Sequence, residues 1–325
     1  MTPPGPTPPG TTSPEPTASG TNGAGAAPRG LLVVGEAVTD VVARHDEPLA
    51  PATDTAARIA VRPGGAGANV ACWAARQGVR AQLLARVGAD SADWHRDALL
   101  AAGVRPRLRV DDRHPTAVVI ALVDAAAERT LVTDSGASLH LGPDDWDEAL
   151  LDGVDRVHFS GYLYFSAPGR ELATLVTASA RARGLPTSVD PASTGFLRRL
   201  GVPRFLDAVA GPDLLLPNAD EAALLAGQPP GADPGATAAG LSALVPGATV
   251  VVTLGCRGAL AAAGGRVVAR APGVPTRAVD STGAGDAFTG ALLAALLAGS
   301  GLPAALGTAC ATAATATTRL GARPG

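Results

Sequence analysis

An α/β fold, with a mostly parallel sheet covered by helices on both faces and a second group of hairpin strands, is the class that this sequence predicts. From residue 82 onward, short apolar runs of strand length alternate with helical patterns: 82–87 then 91–102, 156–159 then 168–183, 187–189 then 196–210. Strands alternating with helices, joined by right-handed crossovers, form a parallel sheet in three layers. Composition agrees, because 46% of the chain is hydrophobic but only 3% is aromatic, so the interior is built from Ala, Val and Leu. Two further stretches, about 40–62 and 114–134, hold paired strand-like pieces instead of this alternation.

Residues 1–29 are rich in Pro, Gly and Thr and almost free of large apolar side chains. Such a segment cannot offset the entropy of ordering, so a disordered tail is expected, with a single domain over 30–325. Order starts at Leu31-Leu32-Val33-Val34, a buried-strand run closed by Gly35. The following Gly-Glu-Ala-Val-Thr-Asp supplies one glycine only, which excludes a dinucleotide-binding G-x-G-x-x-G turn. Asp40 falls just past this strand, at the strand end where open α/β sheets place ligands.

Pro63-Gly64-Gly65-Ala66-Gly67-Ala68-Asn69-Val70-Ala71 opens the next apolar helical pattern. Its glycines allow backbone to approach a ligand, while Asn69 offers donor and acceptor to a hydroxyl pair or caps the helix. Asp190-Pro191 stops one strand and Leu214–Pro217 ends another, after which Asn218-Ala219-Asp220-Glu221 starts a helix. The three-residue spacing puts Asn218 and Glu221 on one side, either as a capping box or as oxygen ligands for the waters around Mg2+. A β-branched strand at 249–253, ending in Thr253, leads to a turn with Gly255 and Gly258, then to a hairpin at 259–269 and a last helix at 303–319.

The most informative stretch is Asp280-Ser281-Thr282-Gly283-Ala284-Gly285-Asp286-Ala287-Phe288, which runs into an apolar, Ala-rich helix. Small residues at 283–285 let an anion reach the first unpaired N–H groups of that helix, where the helix dipole also favours negative charge. Asp286 then sets a carboxylate beside a bound phosphate, an unfavourable pairing unless the carboxylate removes a proton. Taken alone, it serves equally as a first-turn acid complementing the dipole.

Together, GGAGANVA and DSTGAGDAF resemble, in order and separation, the two signature regions of the ribokinase-like (PfkB) carbohydrate kinases, over residues 30–322. The resemblance implies a three-layer α/β/α sandwich with the strands of 40–62 and 114–134 as a β lid. It implies ATP-dependent phosphorylation of a sugar hydroxyl, with Asp286 as general base and the amides of Gly283, Ala284 and Gly285 at the transferred phosphoryl group. Asp40, Gly64, Gly65 and Asn69 match the sugar-binding positions. Asn218 and Glu221 match the family's N-x-x-E motif, with Glu221 holding Mg2+ through water, and Thr253, Gly255 and Gly258 match its nucleotide-side turn. Asp280 and Thr282 match half of a monovalent-cation loop, which brings in K+ as an accessory. Cys310 stands where the family often carries Asn beside the adenine. The alternatives are a nucleoside kinase, with Tyr162, Tyr164 and Phe165 lining the base pocket, and a non-catalytic nucleotide-binding regulator on the same fold. A homodimer through the lid is the expected assembly.

Charge narrows the partners. The net charge is −3 with no basic cluster, which excludes nucleic acid and an anionic membrane surface as partners. All 26 basic residues are Arg, so a Walker A loop with its Lys is excluded. The three cysteines are expected as reduced core thiols, and the five histidines show neither metal nor triad spacing. There is no apolar run of membrane-spanning length and no basic-then-apolar leader at the N-terminus, so the cytoplasm is the expected compartment.

Overall fold

Leu31, Leu32, Val33 and Val34 are completely buried in the first strand of a computed structural model that describes residues 1, 2, 5, 29–125, 129–209 and 211–324. The tail expected over 1–29 lies almost entirely outside the described residues. The strands are β1 (Gly30–Val34), β2 (Val38–Arg44), β3 (Arg58–Gly64), β4 (Arg80–Gly88), β5 (Arg105–Asp111), β6 (Val118–Val123), β7 (Arg129–Asp134), β8 (Arg156–Ser160), β9 (Thr187–Asp190), β10 (Leu214–Leu215), β11 (Thr249–Thr253), β12 (Ala259–Ala263) and β13 (Arg266–Ala271). The helices are α1 (Ala66–Arg76), α2 (Ala92–Ala101), α3 (Ala167–Ala182), α4 (Thr194–Leu200), α5 (Val202–Val209), α6 (Ala219–Leu225), α7 (Pro234–Leu244), α8 (Ala284–Leu297) and α9 (Leu302–Thr317).

Among the described residues the larger sheet has nine strands in the order β13-β12-β11-β10-β9-β8-β1-β4-β5. Pairing is parallel from β5 to β11 and antiparallel through β12 and β13. The period-two geometry of a strand divides the core. Leu31 and Val33 of β1 face one cluster with Val70, Leu292 and Leu306, while Leu32 and Val34 face another with Phe159, Leu172 and Leu241. These clusters are the two sheet–helix interfaces of a three-layer fold. A smaller, four-stranded sheet, ordered β3-β2-β6-β7, stands beside it.

Helices α1 and α8 pack unusually closely. Gly290 makes this approach feasible, since a Cβ there would lie 2.7 Å from both the Val70 carbonyl oxygen and Trp73 Cβ. That closeness brings the two glycine-rich stretches together.

Several elements differ from the sequence reading. The helix expected over 196–210 breaks into α4 and α5 at Gly201, whose φ of 91° is a left-handed conformation that interrupts the helix. Strand β5 escapes sequence reading because its Arg105-Pro106-Arg107-Leu108-Arg109 run belongs to an exposed sheet edge, where charge is tolerated. Helix α7, built largely from Ala and Gly, presents no clear apolar stripe. Cys72 and Cys310 are buried as expected, but Cys256 is exposed in the turn after β11, so it is not a core thiol.

Gly290→Val is expected to cost about 1–3 kcal/mol or more, because neither backbone nor Trp73 can yield without separating α1 from α8. Urea unfolding measures this; unchanged stability would show that the helices do not depend on the close approach.

Candidate active site

The site is built at the start of α8. Gly283 occupies the N-cap with a left-handed φ of 73° and no side chain caps the helix; the Ala284 N–H donates to the Ser281 carbonyl at 3.3 Å, which leaves the amides of Gly285 and Asp286 to meet an outside acceptor. A Cβ on Gly283 would lie 2.6 Å from Ala322 Cα, so a left-handed turn and a close neighbour both demand glycine. Gly285 differs: its φ is not left-handed, and a Cβ there would meet no protein atom within 4 Å. It leaves open space beside the amides, with no backbone demand of its own.

Asp286 occupies the first turn of α8, and its Oδ2 accepts a hydrogen bond from Asn69 Nδ2 at 2.8 Å. Burial pushes its carboxyl up to about 7; the Asn69 bond opposes this, and the negative charges of Asp190, Glu36 and Asp40 add to it. A carboxyl poised near neutral pH suits general-base work.

Asp40 lies inside β2, not in a turn after β1, paired in register with Arg62 and Val119. Burial raises it to about 6, against the opposing charge of Arg323. Gly64 and Gly65 serve the protein's own atoms: a Cβ on Gly64 would collide with the Asp40 carboxylate, and one on Gly65, whose φ is 95°, would lie 2.6 Å from the Glu36 carbonyl oxygen. The cap of α1 is Gly65, so Asn69 caps nothing and instead reaches across to α8.

Asp40, Asn69, Thr282 and Arg323 border a cavity of about 890 Å³ between the smaller sheet and the main body. Tyr162, Phe165 and Phe196 line another of its walls, with Phe165 and Phe196 stacked at 4.9 Å. Tyr164, expected beside them, is fully buried against Phe159 and Phe205, because the tight helical turn at Gly161–Phe165 sends successive side chains in different directions.

Asn218 and Glu221 form a complete capping box: Glu221 N donates to Asn218 Oδ1 and Asn218 N to Glu221 Oε2, both at 2.9 Å. Thr253 faces Asn218 in a single parallel bridge, and its N–H donates to the Pro217 carbonyl at 3.1 Å. Gly255 and Gly258 take left-handed φ values of 60° and 94°. Burial, reinforced by Asp190, lifts Glu221 to about 8. Asp280 Oδ1 accepts from Thr282 N at 2.9 Å and Thr282 Oγ1 at 2.6 Å, and its Oδ2 accepts from Gly321 N at 3.0 Å.

Three site residues escape the sequence reading. Glu36 and Asp190 lie at or just past the ends of β1 and β9, so the strand-end rule that singles out Asp40 would have found both. Arg323 carries no sequence signal, since one Arg near a chain end is ordinary.

A parallel α/β sheet with a roofed cavity at the start of a glycine-capped helix defines a ribokinase-like kinase fold. The chain belongs to the pfkB family carbohydrate kinases, whose family model matches residues 29–325. It is 29% identical to the Ribokinase of Bacillus subtilis over 86% of this chain and 89% of that protein. To the Fructokinase of Klebsiella pneumoniae it is 32% identical over 82% and 84%. It is 34% identical to the Bifunctional protein HldE of Pseudomonas paraeruginosa over 76% of this chain, and the match spans only 50% of that relative's length. Among solved structures, a protein from E. coli provisionally named Ribokinase II, in complex with ATP and Mg2+, superposes with a TM-score of 0.77 at 26% identity, covering 90% and 94% of the two chains. The adenosine kinase from Sinorhizobium meliloti has the same fold, with a TM-score of 0.80 at 24% identity over 92% and 96%.

Asp40, Asp190, Asp286 and Glu221 all bind protons more tightly in the folded protein than in the unfolded chain. Below about pH 3 all are protonated in both states; as pH rises the unfolded chain ionises first, so stability falls until the folded values of about 6 to 8 are passed. Asp286→Asn is therefore expected to raise the melting temperature at pH 8 and to raise it much less at pH 4.5. A lower melting temperature at pH 8 would contradict the assigned strain.

Proposed function

We propose that this protein transfers the γ-phosphoryl group of ATP to a hydroxyl of a small sugar, with Asp286 as the general base. The observation that carries the reading is the placement of Asp286 in the first turn of α8, hydrogen-bonded to Asn69, which with Thr282 lines the roofed cavity. Asp286 takes the proton of the attacking hydroxyl. The amides of Gly283, Gly285 and Asp286 meet the charge that spreads over the transferred phosphoryl oxygens. Asp40 accepts from sugar hydroxyls, Gly64 and Gly65 hold the strand that carries it in place, and Asn69, on the cavity wall, contacts the acceptor. The smaller sheet closes over the cavity and excludes water that would otherwise take the phosphoryl group.

Thr253, Gly255, Gly258 and Asn218 form the nucleotide side. The raised proton affinity of Glu221, crowded by Asp190, fits a nearby cation that would relieve the repulsion. Mg2+ is held by one or two carboxylates, water and the substrate phosphates; when bound it neutralises phosphate charge. A monovalent cation at Asp280 and Thr282 has the smaller part, because Arg44 already lies 4.0 Å from Asp280. A second copy is expected to pair through the smaller sheet, whose Ile59, Val61 and Val132 are more than half exposed. The expected compartment is the cytoplasm; among the described residues no helix is long and apolar enough to cross a membrane.

A second reading, a nucleoside acceptor, is favoured by Tyr162, Phe165 and Phe196 on the cavity wall, since aromatic faces stack on bases.

Asp286→Asn is expected to lower single-turnover transfer by about 10²- to 10⁴-fold while ATP affinity, measured by calorimetry, holds or tightens. Transfer at the wild-type rate would remove Asp286 from the chemistry. Asp40→Ala should raise acceptor KM with ATP KM unchanged, tested with D-ribose, D-fructose and adenosine; a rise in ATP KM alone would place Asp40 on the wrong substrate.

A further inference from the structure

After α9 the chain turns back across both glycine-rich stretches. Arg62 Nη1 donates to the Leu320 carbonyl at 2.9 Å, Gly321 N to Asp280 Oδ2 at 3.0 Å, and Trp73 Nε1 to the Ala322 carbonyl at 2.8 Å. These bonds fix the backbone and deliver the Arg323 side chain between β3 and α1. There Nη2 donates to the Gly64 carbonyl at 2.9 Å and Nε to Asn69 Oδ1 at 3.2 Å. Nη1 is buried with no hydrogen-bond partner among the described residues.

The chemistry of these groups sets the orientation of the Asn69 amide. A guanidinium has five N–H donors and no acceptor, so the atom of Asn69 facing Arg323 must be its oxygen. The NH2 group must then face Asp286, where it donates at 2.8 Å and favours the ionised carboxylate. Turned the other way, Asn69 would present its carbonyl to Asp286 and stabilise the protonated carboxyl, which cannot take a proton from an acceptor hydroxyl. Asn amides are readily reversed when nothing constrains them.

We propose that Arg323 is a positioning residue for the phosphoryl-transfer base: as a donor-only group it locks the Asn69 amide with its NH2 toward Asp286. The inference rests on the kinase reading above. Asp286 is hydrogen-bonded by Asn69 from α1, and the groups that interact with it electrostatically include Glu36 after β1, Asp40 from β2, Asp190 ending β9, Tyr162 after β8 and Arg323 from the C-terminal run. Arg323 is the one cation in this set, so its loss both frees the amide and removes the favourable charge.

The test is the titration of Asp286, followed by NMR of protein carrying 13C in its Asp carboxyls and assigned with Asp286→Asn. Arg323→Gln is expected to move the Asp286 midpoint up by about one pH unit, since both effects favour the neutral acid. Arg323→Lys, also a cation that only donates, is expected to stay within about 0.3 unit of wild type. In an Asn69→Leu background the Arg323→Gln shift is expected to shrink to less than half. A shift of the same size in that background would overturn the relay in favour of a through-space charge effect, and the absence of any shift in the Asn69 wild type would overturn the proposal entirely. If melting curves show that Arg323→Gln does not fold, the Lys variant decides: a midpoint displaced by about a unit or more contradicts donor-only locking. The acid limb of kcat, measured with D-ribose, D-fructose and adenosine, should move with the midpoint. A midpoint that shifts in a protein that transfers phosphate to no pentose, hexose, keto-deoxy acid, sugar phosphate or nucleoside would leave the relay standing and sink the kinase reading instead.

Discussion

The hydrogen bond from Asn69 to Asp286 joins residues 217 positions apart and ties the two glycine-rich stretches into one site. It exists only because α1 and α8 approach at Gly290, where any side chain would strike Val70 or Trp73. Ala322 lies close against Gly283, so the turn that opens α8 and the run that follows α9 hold each other in shape. Backbone proximity thus comes first. The orientation of the carboxylate, the open amides and the reach of Arg323 follow from it.

The site gathers negative charge. Glu36, Asp40, Asp190, Glu221 and Asp286 are all raised, chiefly by burial, and several reinforce one another. An apolar replacement would fold more readily, so the crowding is a cost carried for chemistry and offset by the two large apolar clusters flanking the main sheet. Ala192, held at a left-handed φ of 74° beside Asp190, is a local sign of the same strain. A bound cation and a polar acceptor would relieve much of it. The free site is therefore strained toward the ligands that it is read as binding.

Much of the architecture was legible because the signals are periodic. Four-residue apolar runs, helical spacing and the two glycine-rich stretches each report local geometry, and β1, β4, β8 and β9 lie where they were expected. The smaller sheet was legible from the strand pieces now seen as β2, β3, β6 and β7. Meanings that depend on distant neighbours were not legible. Gly64 makes room for Asp40, Asn69, read as a hydroxyl contact or a helix cap, caps nothing and reaches α8, and Tyr164 looked like a pocket aromatic but lies in the core. Arg323 was invisible because its role arises from where the chain's last turn lands, a property of the tertiary fold alone.

The central claim is phosphoryl transfer to an organic hydroxyl, and its most direct test is 31P NMR of the protein with ATP, Mg2+ and, in separate samples, pentoses, hexoses, keto-deoxy acids, sugar phosphates and nucleosides. The account predicts a new phosphate ester formed one-for-one with ADP for at least one sugar. Free inorganic phosphate at a rate indifferent to every acceptor, or no consumption of ATP at all, would contradict it.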